Sequence, residues 1–464
     1  MYHDIRQSLA DCLFAYSAQS GLPKNDVLRL MDHMSKIKPS DGSASGTLDN
    51  VNMTLTMALL YSIDAGALHK SSDGEESLQS LPILRDATLI PTLHRKLSNV
   101  QPRWNHLGIQ SVVQFAWSMT LATLRSSMTN LKEEQQTVVE DDEAILDASL
   151  DNGVFHWLLQ SFLYSKLLKS EEFYVRRLHQ LITDLIVLMP LKVKELRNRA
   201  DESARNKLMH EHEGIQFTVP LAGQHFENLL AALAALYKND NCELILDFWC
   251  PTENMDRLPH RQVSLYKFVK LAGDLLMPSL YTPYVNLLGE LQRCDFRHFP
   301  IIKLIFILIS VSLSSHSEAA LHCFNLLKLN GGPTGSSSTV SWDHFFASLH
   351  QYFANLRQES QMPSTMMDSI YRRPMTRGIS PTEVQGLEAV LRLITSVCKY
   401  SEAARITIAE HATWQPTFVF VGLLSCSVPT PLKAELIKCL SALGMTSEIA
   451  FSIWQNIEAG KLYL

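Results

Sequence analysis

The sequence predicts an all-α protein, an α-solenoid in which a string of short helices stacks on its own chain neighbours. Three observations carry this. Apolar residues recur at three- and four-residue steps along almost the whole length, the period of amphipathic helices. Alternating polar and apolar runs, the mark of half-buried strands, are almost absent. The stretch Phe173–Arg205, FYVRRLHQLITDLIVLMPLKVKELRNRADESAR, reads as two helices meeting at a single proline. An irregular multi-helix globule is the physical alternative, and periodicity alone does not choose between the two.

The Pro190 pair sets the pattern. Before it, Tyr174, Val175, Leu178, Leu181, Ile182, Leu185 and Met189 form a wide apolar face suited to a helix buried between neighbours. Pro190 lacks an N–H and biases Met189 away from helical geometry, yet it suits the first position of the next helix. After it, Val193, Leu196, Ala200 and Ala204 make only a narrow stripe among charged residues. Glu195–Arg199 and Asp201–Arg205 stand at i, i+4 with the acid first, the order that supports a helix. The pair reads as a helix packed in the body leading into a charged helix on its flank.

The remaining elements follow in order. Ile5, Leu9, Leu13 and Tyr16 make one helical face, and Val27, Leu30, Met31 and Met34 the next. Val51–Ile63 is a third helix, followed by the polar loop Lys70–Ser77, then Asp86–Leu97 and Gly108–Leu124. Thr129–Asp142 is charged and weakly periodic, a loop or the exposed start of a helix. Phe155–Leu168 precedes the central pair and Glu211–Leu221 is a connector after it. Gln224–Tyr237, Cys242–Trp249, Val263–Leu276, Tyr284–Leu291 (after Pro283) and Ser317–Leu327 come next. Gly331–Thr339 is a glycine- and serine-rich loop before Trp342–Leu356. Gln358–Ser380, with Pro363, Pro374 and Gly378, is the segment expected to be a disordered loop. Glu383–Cys398, Ala403–His411, Trp414–Ser425, Pro431–Leu443 and Ser447–Ile457 complete a series of roughly twenty helices. Such a series predicts one continuous solenoid over residues 1–464, an elongated right-handed stack without a sheet.

One segment contrasts with its flanks. Residues 293–315, RCDFRHFPIIKLIFILISVSLSS, are apolar without a helical polar face. The apolar run is shorter than the ~20 residues that span a bilayer, and Lys303 interrupts it, so it is not read as a membrane span. It reads as an anomalous insertion, either retained intron sequence or a buried helix particular to this lineage.

Composition narrows the function classes. Of the 464 residues 46% are hydrophobic, enough for a sizeable core. The formal net charge of -6 gives no basic excess for a nucleic-acid backbone. Eight cysteines (Cys12, Cys242, Cys250, Cys294, Cys323, Cys398, Cys426, Cys439) are scattered without a CxxC pair, which suits free thiols in a reducing compartment. The early charges Asp4, Arg6 and Asp11 do not fit a signal peptide. Asn52-Met53-Thr54 is a glycosylation sequon inside an apolar helical pattern, a chance match.

A search for chemistry finds no constellation. His210-Glu211-His212 would need further converging ligands to hold zinc, and none lies nearby in sequence. Glu410-His411 lacks the second histidine of HExxH. Gly331–Gly335 resembles a phosphate loop in glycine content alone, without the following lysine. Gly42–Gly46 puts Ala44 where a hydrolase nucleophile would stand. Cys250 has no histidine or basic cluster beside it in sequence. No catalytic, cofactor or metal-binding residue is assigned.

The Phe173–Arg205 stretch resembles, nearly word for word, the large inner-ring scaffold nucleoporins of the nuclear pore complex, the nucleoporin 205/192 family. Collinear segments resemble the same family: IRQSLADCLFAY (Ile5–Tyr16), NMTLTMALLYSID (Asn52–Asp64), FWCPTE (Phe248–Glu253) and RQVSLYKFVKLAGDLL (Arg261–Leu276). VSWDHFFASL (Val340–Leu349), GLLSCSVPTPLKAELIKCLSALG (Gly422–Gly444) and EIAFSIWQ (Glu448–Gln455) continue the series. A long collinear match is far more specific than a short motif.

The resemblance implies an irregular HEAT/armadillo-like superhelix at the nuclear envelope, a fragment from the amino-terminal half of a longer scaffold. It implies a structural role in pore assembly and nucleocytoplasmic transport, without catalysis. The implied partners are peptide segments of linker nucleoporins, chiefly the small linker with an RNA-recognition-like fold, and inner-ring scaffold neighbours. No small-molecule substrate, cofactor, direct nucleic-acid contact or transmembrane segment is implied. A solenoid cut from a longer one is expected to expose apolar faces at its ends. The runner-up from another class is a helical-repeat nuclear transport receptor or adaptor. Such receptors usually carry a strongly acidic or tryptophan-lined inner face, whereas the seven tryptophans here are thinly spread.

Overall fold

The computed structural model describes residues 2–39, 46, 48–66, 82–86, 88–98, 104–127, 133–212, 220, 223–238, 244–249, 259–274, 276–291, 306–329, 340–361 and 381–459. Among them no strand occurs. The chain divides into two compact units, Met1–Leu236 and Tyr237–Leu464.

Unit 1 contains α1 (Tyr2–Ser20), α2 (Lys24–Met34), α3 (Asn50–Ser62), α4 (Pro82–Arg85), α5 (Leu89–Ser98), α6 (Leu107–Ser127) and α7 (Glu133–Val139). It continues with α8 (Asp142–Asp151), α9 (Val154–Trp157), a π-helical turn (Leu158–Phe162), α10 (Lys166–Ser170), α11 (Glu172–Leu188), α12 (Pro190–His212) and α13 (His225–Tyr237), whose last residue opens unit 2. Its centre is α6, where every residue from Gly108 to Leu124 is buried. A helix buried on all sides must satisfy its polar side chains internally, and α6 does so by reaching its neighbours. Thr120 Oγ1 donates to the Ile63 carbonyl at 2.7 Å, Ser118 Oγ to the Asp142 carbonyl at 2.7 Å, and Gln114 Nε2 to the Leu97 carbonyl at 3.0 Å. Gly108 leaves room for the Trp157 ring, which would lie 2.2 Å from a Cβ there.

The Pro190 pair forms as the sequence predicts. Met189 leaves the helical region at φ −125°, ψ 53°, and Pro190 is the first residue of α12. On α11, Arg177 is buried; its guanidinium donates to Asp64 Oδ1 at 2.7 Å and to the Leu60 carbonyl at 2.9 Å, tying α11 to the end of α3.

Unit 2 contains a 3-10 turn (Leu244–Phe248), α14 (His260–Gly273), α15 (Pro278–Glu290), α16 (Phe306–Leu329), α17 (Trp342–Gln361), α18 (Pro381–Tyr400), α19 (Glu402–Ala409), α20 (Pro416–Ser425), α21 (Thr430–Leu443) and α22 (Ser447–Ala459). Trp342 is its hub. The ring is fully buried against Phe324, Phe345, Phe346 and Trp414, and its N–H donates to the Phe324 carbonyl at 2.9 Å. Trp414 stacks on Phe346 and on His411, and its N–H donates to Asp343 Oδ1 at 2.8 Å. That anchoring holds the next residue, Gln415, in the left-handed region at φ 39°, ψ 53°, a strained backbone for a residue with a Cβ. Pro416 then opens α20.

Within each unit the packing joins elements close in the chain. In unit 1 α1 packs on α3, and α6 on α8 and α11; in unit 2 α15 packs on α18, α18 on α21, and α20 on α21 and α22. This is the α-solenoid arrangement, without a regular repeat.

Several boundaries differ from the sequence reading for physical reasons. The expected helix Phe155–Leu168 is split into α9, the π turn and α10, because Trp157 and Phe162 turn into the same buried pocket. Pro283 does not mark a helix start; it lies inside α15, which begins at Pro278. Its missing N–H costs the helix one intrahelical bond, the one to the Ser279 carbonyl. The connector expected from Glu211 starts later, since α12 runs to His212 and nothing before Gly214 breaks a helix. Leu244–Phe248 is a 3-10 turn rather than an α-helix. Of the apolar insertion 293–315, residues 306–315 are helical backbone of α16, and 293–305 lie outside the described residues. The expected loops Lys70–Ser77 and Gly331–Thr339 also lie outside them, as do residues 362–380 of the expected loop 358–380; residues 358–361 end α17.

Candidate partner-binding surfaces

The first surface lies on α1. Ile5, Leu9 and Tyr16 form the apolar face of α1, yet they are 50%, 65% and 52% exposed. The buried residues of α1 are Ala10, Phe14 and Ser17 instead. Phe14 sets the roll of the helix: its ring meets Tyr61 and Tyr174 edge-on at 5.6 and 4.7 Å. Ser17 Oγ donates to the Ala58 carbonyl at 2.5 Å, and the small Ala10 allows close approach to α3. With that roll fixed, Ile5, Leu9, Cys12 and Tyr16, spaced at i, i+4, i+7 and i+11, share an outward stripe with Tyr2 beside it.

The second lies on α20 to α22. Phe418, Met445, Phe451 and Trp454 are 48%, 59%, 62% and 59% exposed. Ile449 and Ile453 seat α22 on the core, so Phe451 and Trp454 on its other side face solvent. Phe451 and Trp454 stand at i, i+3 on one helix face, and exposed apolar patches mark interaction surfaces.

The charged helix α12 is more embedded than a solvated flank. Val193, Leu196 and Ala200 are buried as expected, but so are Lys192 and Arg197. Lys192 Nζ lies 2.8 Å from Asp147 Oδ1 on α8 and 3.1 Å from Glu195 Oε2. Burial works to lower the Lys192 pKa, and the hydrogen bonds to the two carboxylates outweigh it and hold the ammonium above its ordinary range. Two of the charges expected on the surface therefore face inward, and Lys192 fixes α12 to α8.

The third surface is a groove in unit 2 of about 420 Å³, between α15, α17 and α18. Tyr281 and Thr282 form one wall, Glu383, Gly386 and Leu387 the other, and α17 supplies the floor. Burial alone pushes the Tyr281 phenol well above its ordinary pKa, so it stays a neutral donor at any physiological pH. No local pattern signals this groove, because its three walls are far apart in the chain.

Some of the weak chemical candidates fall on described residues. His210 lies on α12 with Nδ1 2.6 Å from the Asn206 carbonyl. His411 is stacked on Trp414 at 3.6 Å. Gly46 is described, and its carbonyl lies within hydrogen-bond reach of His106 and Trp157. Residues 42–45, 331–335 and Cys250 are outside the described residues. Among the described residues, no three His, Cys, Asp or Glu side chains are grouped to hold a metal, and no helix is long and apolar enough to cross a membrane.

Stacked helices with outward apolar stripes and an interhelical groove define a helical-repeat interaction scaffold. The family model for nuclear pore complex scaffold proteins, nucleoporins 186/192/205, matches residues 1–463. The human nuclear pore complex protein Nup205 is 38% identical over 481 residues, covering 98% of this chain and 22% of that protein. The Drosophila melanogaster nuclear pore complex protein Nup205 is 33% identical over 470 residues, covering 100% of this chain and 21% of that protein. The chain belongs to this nucleoporin scaffold family, and it spans about a fifth of the length of these relatives.

Proposed function

We propose that this chain is a structural part of the nuclear pore complex inner ring at the nuclear envelope. In this reading it serves pore assembly and nucleocytoplasmic transport by holding segments of linker nucleoporins, without catalysis. The observation that carries the reading is the family match over residues 1–463, on a fold whose exposed features are apolar stripes and a groove. Helical stacks offer such grooves to peptides that lay apolar anchors into them. Burial rather than charge then carries the affinity, which suits a chain of net charge -6 spread over 464 residues.

The test is a pull-down of the full chain with the unstructured tail of the small linker nucleoporin that carries an RNA-recognition-like fold. Capture of the tail, with no turnover by the chain, is the expected result. Failure to capture it, together with cargo binding that a small GTPase releases, would replace this reading with the transport-receptor one.

A further inference from the structure

Arg405 on α19 is 7% exposed, and among the described residues no carboxylate stands within ion-pair distance of it. Its guanidinium meets neutral groups alone. Nη1 donates to the Cys398 carbonyl at 2.8 Å, in the last turn of α18, where carbonyls lack helical partners. Nε donates to Thr446 Oγ1 at 2.9 Å, and the Met445 sulfur lies 3.9 Å from Nη1. Nη2 has no partner among the described residues. A buried cation ordinarily sits beside an anion, because neutral acceptors do not replace all of its lost hydration.

Thr446 adds a second source of positive charge. It precedes α22, and its carbonyl accepts the first helical bond from the Ala450 N–H at 2.9 Å. A threonine there ordinarily caps the helix by accepting from an amide two or three residues on. Here Oγ1 accepts from Arg405 instead, and the amides of Ser447, Glu448 and Ile449 donate to no acceptor among the described residues. The helix dipole places partial positive charge at this same end of α22. Arg405 and an uncapped helix therefore converge on one hydroxyl. Glu448 is the acidic residue of the first turn, and it is exposed to solvent. Thr446 itself is half-buried, but Met445, Ser447 and Glu448 beside it are exposed, so an enzyme can reach the segment.

We propose that this corner of unit 2 is a phosphate site, and that phosphorylation of Thr446 fills it. The donor is a nucleoside triphosphate, used by a protein kinase. Thr446 Oγ1 forms the new bond to the γ-phosphorus, and the bond from that phosphorus to its bridging oxygen breaks. The nucleoside diphosphate leaves with the electron pair, and the hydroxyl proton passes to the base of the kinase. The phosphate then carries about −1.5 to −2 charges at pH 7. Its oxygens accept from Arg405 Nη2 and from the open amides of α22. Phosphorylation thereby ties α22, with its exposed Phe451 and Trp454, to α19.

The experiment compares the full chain carrying genetically encoded phosphothreonine at position 446 with the unmodified chain. Hydrogen exchange at the amides of residues 447–449 is expected to slow by about tenfold or more, since one charge-assisted hydrogen bond is worth that much. The phosphorus NMR signal is expected to titrate below the ordinary second pKa of about 6, because Arg405 favours the dianion. In Arg405→Gln both effects are expected to shrink, and Arg405→Lys, which keeps the charge, is expected to restore part of the titration shift. If neither variant folds, the wild-type pair alone decides. Unchanged exchange, or a phosphate titrating at or above about 6, would overturn the site. Peptide mapping of the protein from its native cells is expected to find phosphate on Thr446, and its absence there would overturn the modification. Inorganic phosphate added to the unmodified chain tests the source. If it alone gives the same protection, a free oxyanion fills the corner and the assignment to Thr446 falls.

Discussion

Arg177 in unit 1 and Trp342 in unit 2 are both buried, and they hold their surroundings by different means. Arg177 is fixed by directional bonds, to the Asp64 carboxylate and the Leu60 carbonyl. Around it unit 1 repeats the device, with Thr120, Ser118 and Gln114 of α6 reaching the carbonyls of other elements. Trp342 is fixed mainly by shape, within a cluster of Phe324, Phe345, Phe346 and Trp414. Around it unit 2 buries aromatic rings and the thiols Cys323, Cys398 and Cys439. Hydrogen bonds set the register of one helix on another to a fraction of an ångström, whereas ring packing tolerates small slides. Irregular helices without a repeat consensus can thus be held in place by either means, and unit 1 is the more sensitive to loss of a single polar atom.

The largest effects come from removing the two hubs. Arg177→Ala removes the guanidinium from the Leu60 carbonyl and from Asp64, which keeps only the Gly66 N–H and the Gln180 amide, and is expected to cost about 3 kcal/mol, as a broken buried pair does. Trp342→Ala empties the aromatic cluster and is expected to cost about 3–5 kcal/mol through cavity formation. Hydrogen exchange resolves where the loss falls: in α3 and α11 for the first, in α17 and α20 for the second. Equal loosening of both units by either variant would show that they do not unfold as separate blocks.

Next come two glycines, each under an aromatic ring. A Cβ on Gly108 would lie 2.2 Å from Trp157, and one on Gly422 would lie 2.3 Å from Phe353. Each alanine variant is expected to cost about 1–3 kcal/mol by overpacking. Gly108→Ala is expected to be the worse, because Trp157 is more deeply buried than Phe353, whose ring lies near the exposed Phe418. Thermal melts of the two variants give the order, and the reverse order would contradict the contrast drawn between the units.

A smaller effect depends on pH. Asp142, whose side chain is fully buried, has its pKa raised by burial, which outweighs the Arg125 guanidinium 2.8 Å away. A carboxyl with a raised folded pKa binds more protons folded than unfolded, so its contribution to stability falls as pH rises from the unfolded value of about 3.9 through the folded one. Asp142→Asn is therefore expected to match the wild type at pH 3 and to gain on it with rising pH until the folded carboxyl is ionised. Denaturant midpoints against pH check this; a gap that narrows as pH rises would mean that the ion pair with Arg125 wins.

The smallest perturbation is alkylation of the native protein. Burial pushes the Cys323 and Cys398 thiols far up and the Cys439 thiol up to about 12, so few thiolates form. Among the described thiols, Cys12 on the open stripe of α1 is expected to react with iodoacetamide first. Peptide mapping that finds Cys398 or Cys439 modified at the same rate would show that the unit 2 core opens readily.

Local pattern is enough to set the all-helical class, the place of the Pro190 junction and the family resemblance. Periodicity, a proline without an N–H and long collinear words are local properties, and local properties survive without a fold. Local pattern also determined the buried face of α2, which has one dominant apolar stripe; on α11 the stripe is buried along with polar residues such as Arg177. It could not determine the roll of α1, which offers two candidate faces; Phe14 between Tyr61 and Tyr174 decides it, and those partners come from α3 and α11. It could not foresee that Lys192 and Arg197 are buried, since one of the two carboxylates that hold the Lys192 ammonium, Asp147, comes from another helix. The candidate groove was the least legible part. The stripe His344, Ser348, Gln351 and Asn355 can be read on α17, but on its own it is a solvated helix face. Tyr281 and Gly386, brought in from α15 and α18, make it a groove, and that meeting exists only in the tertiary structure.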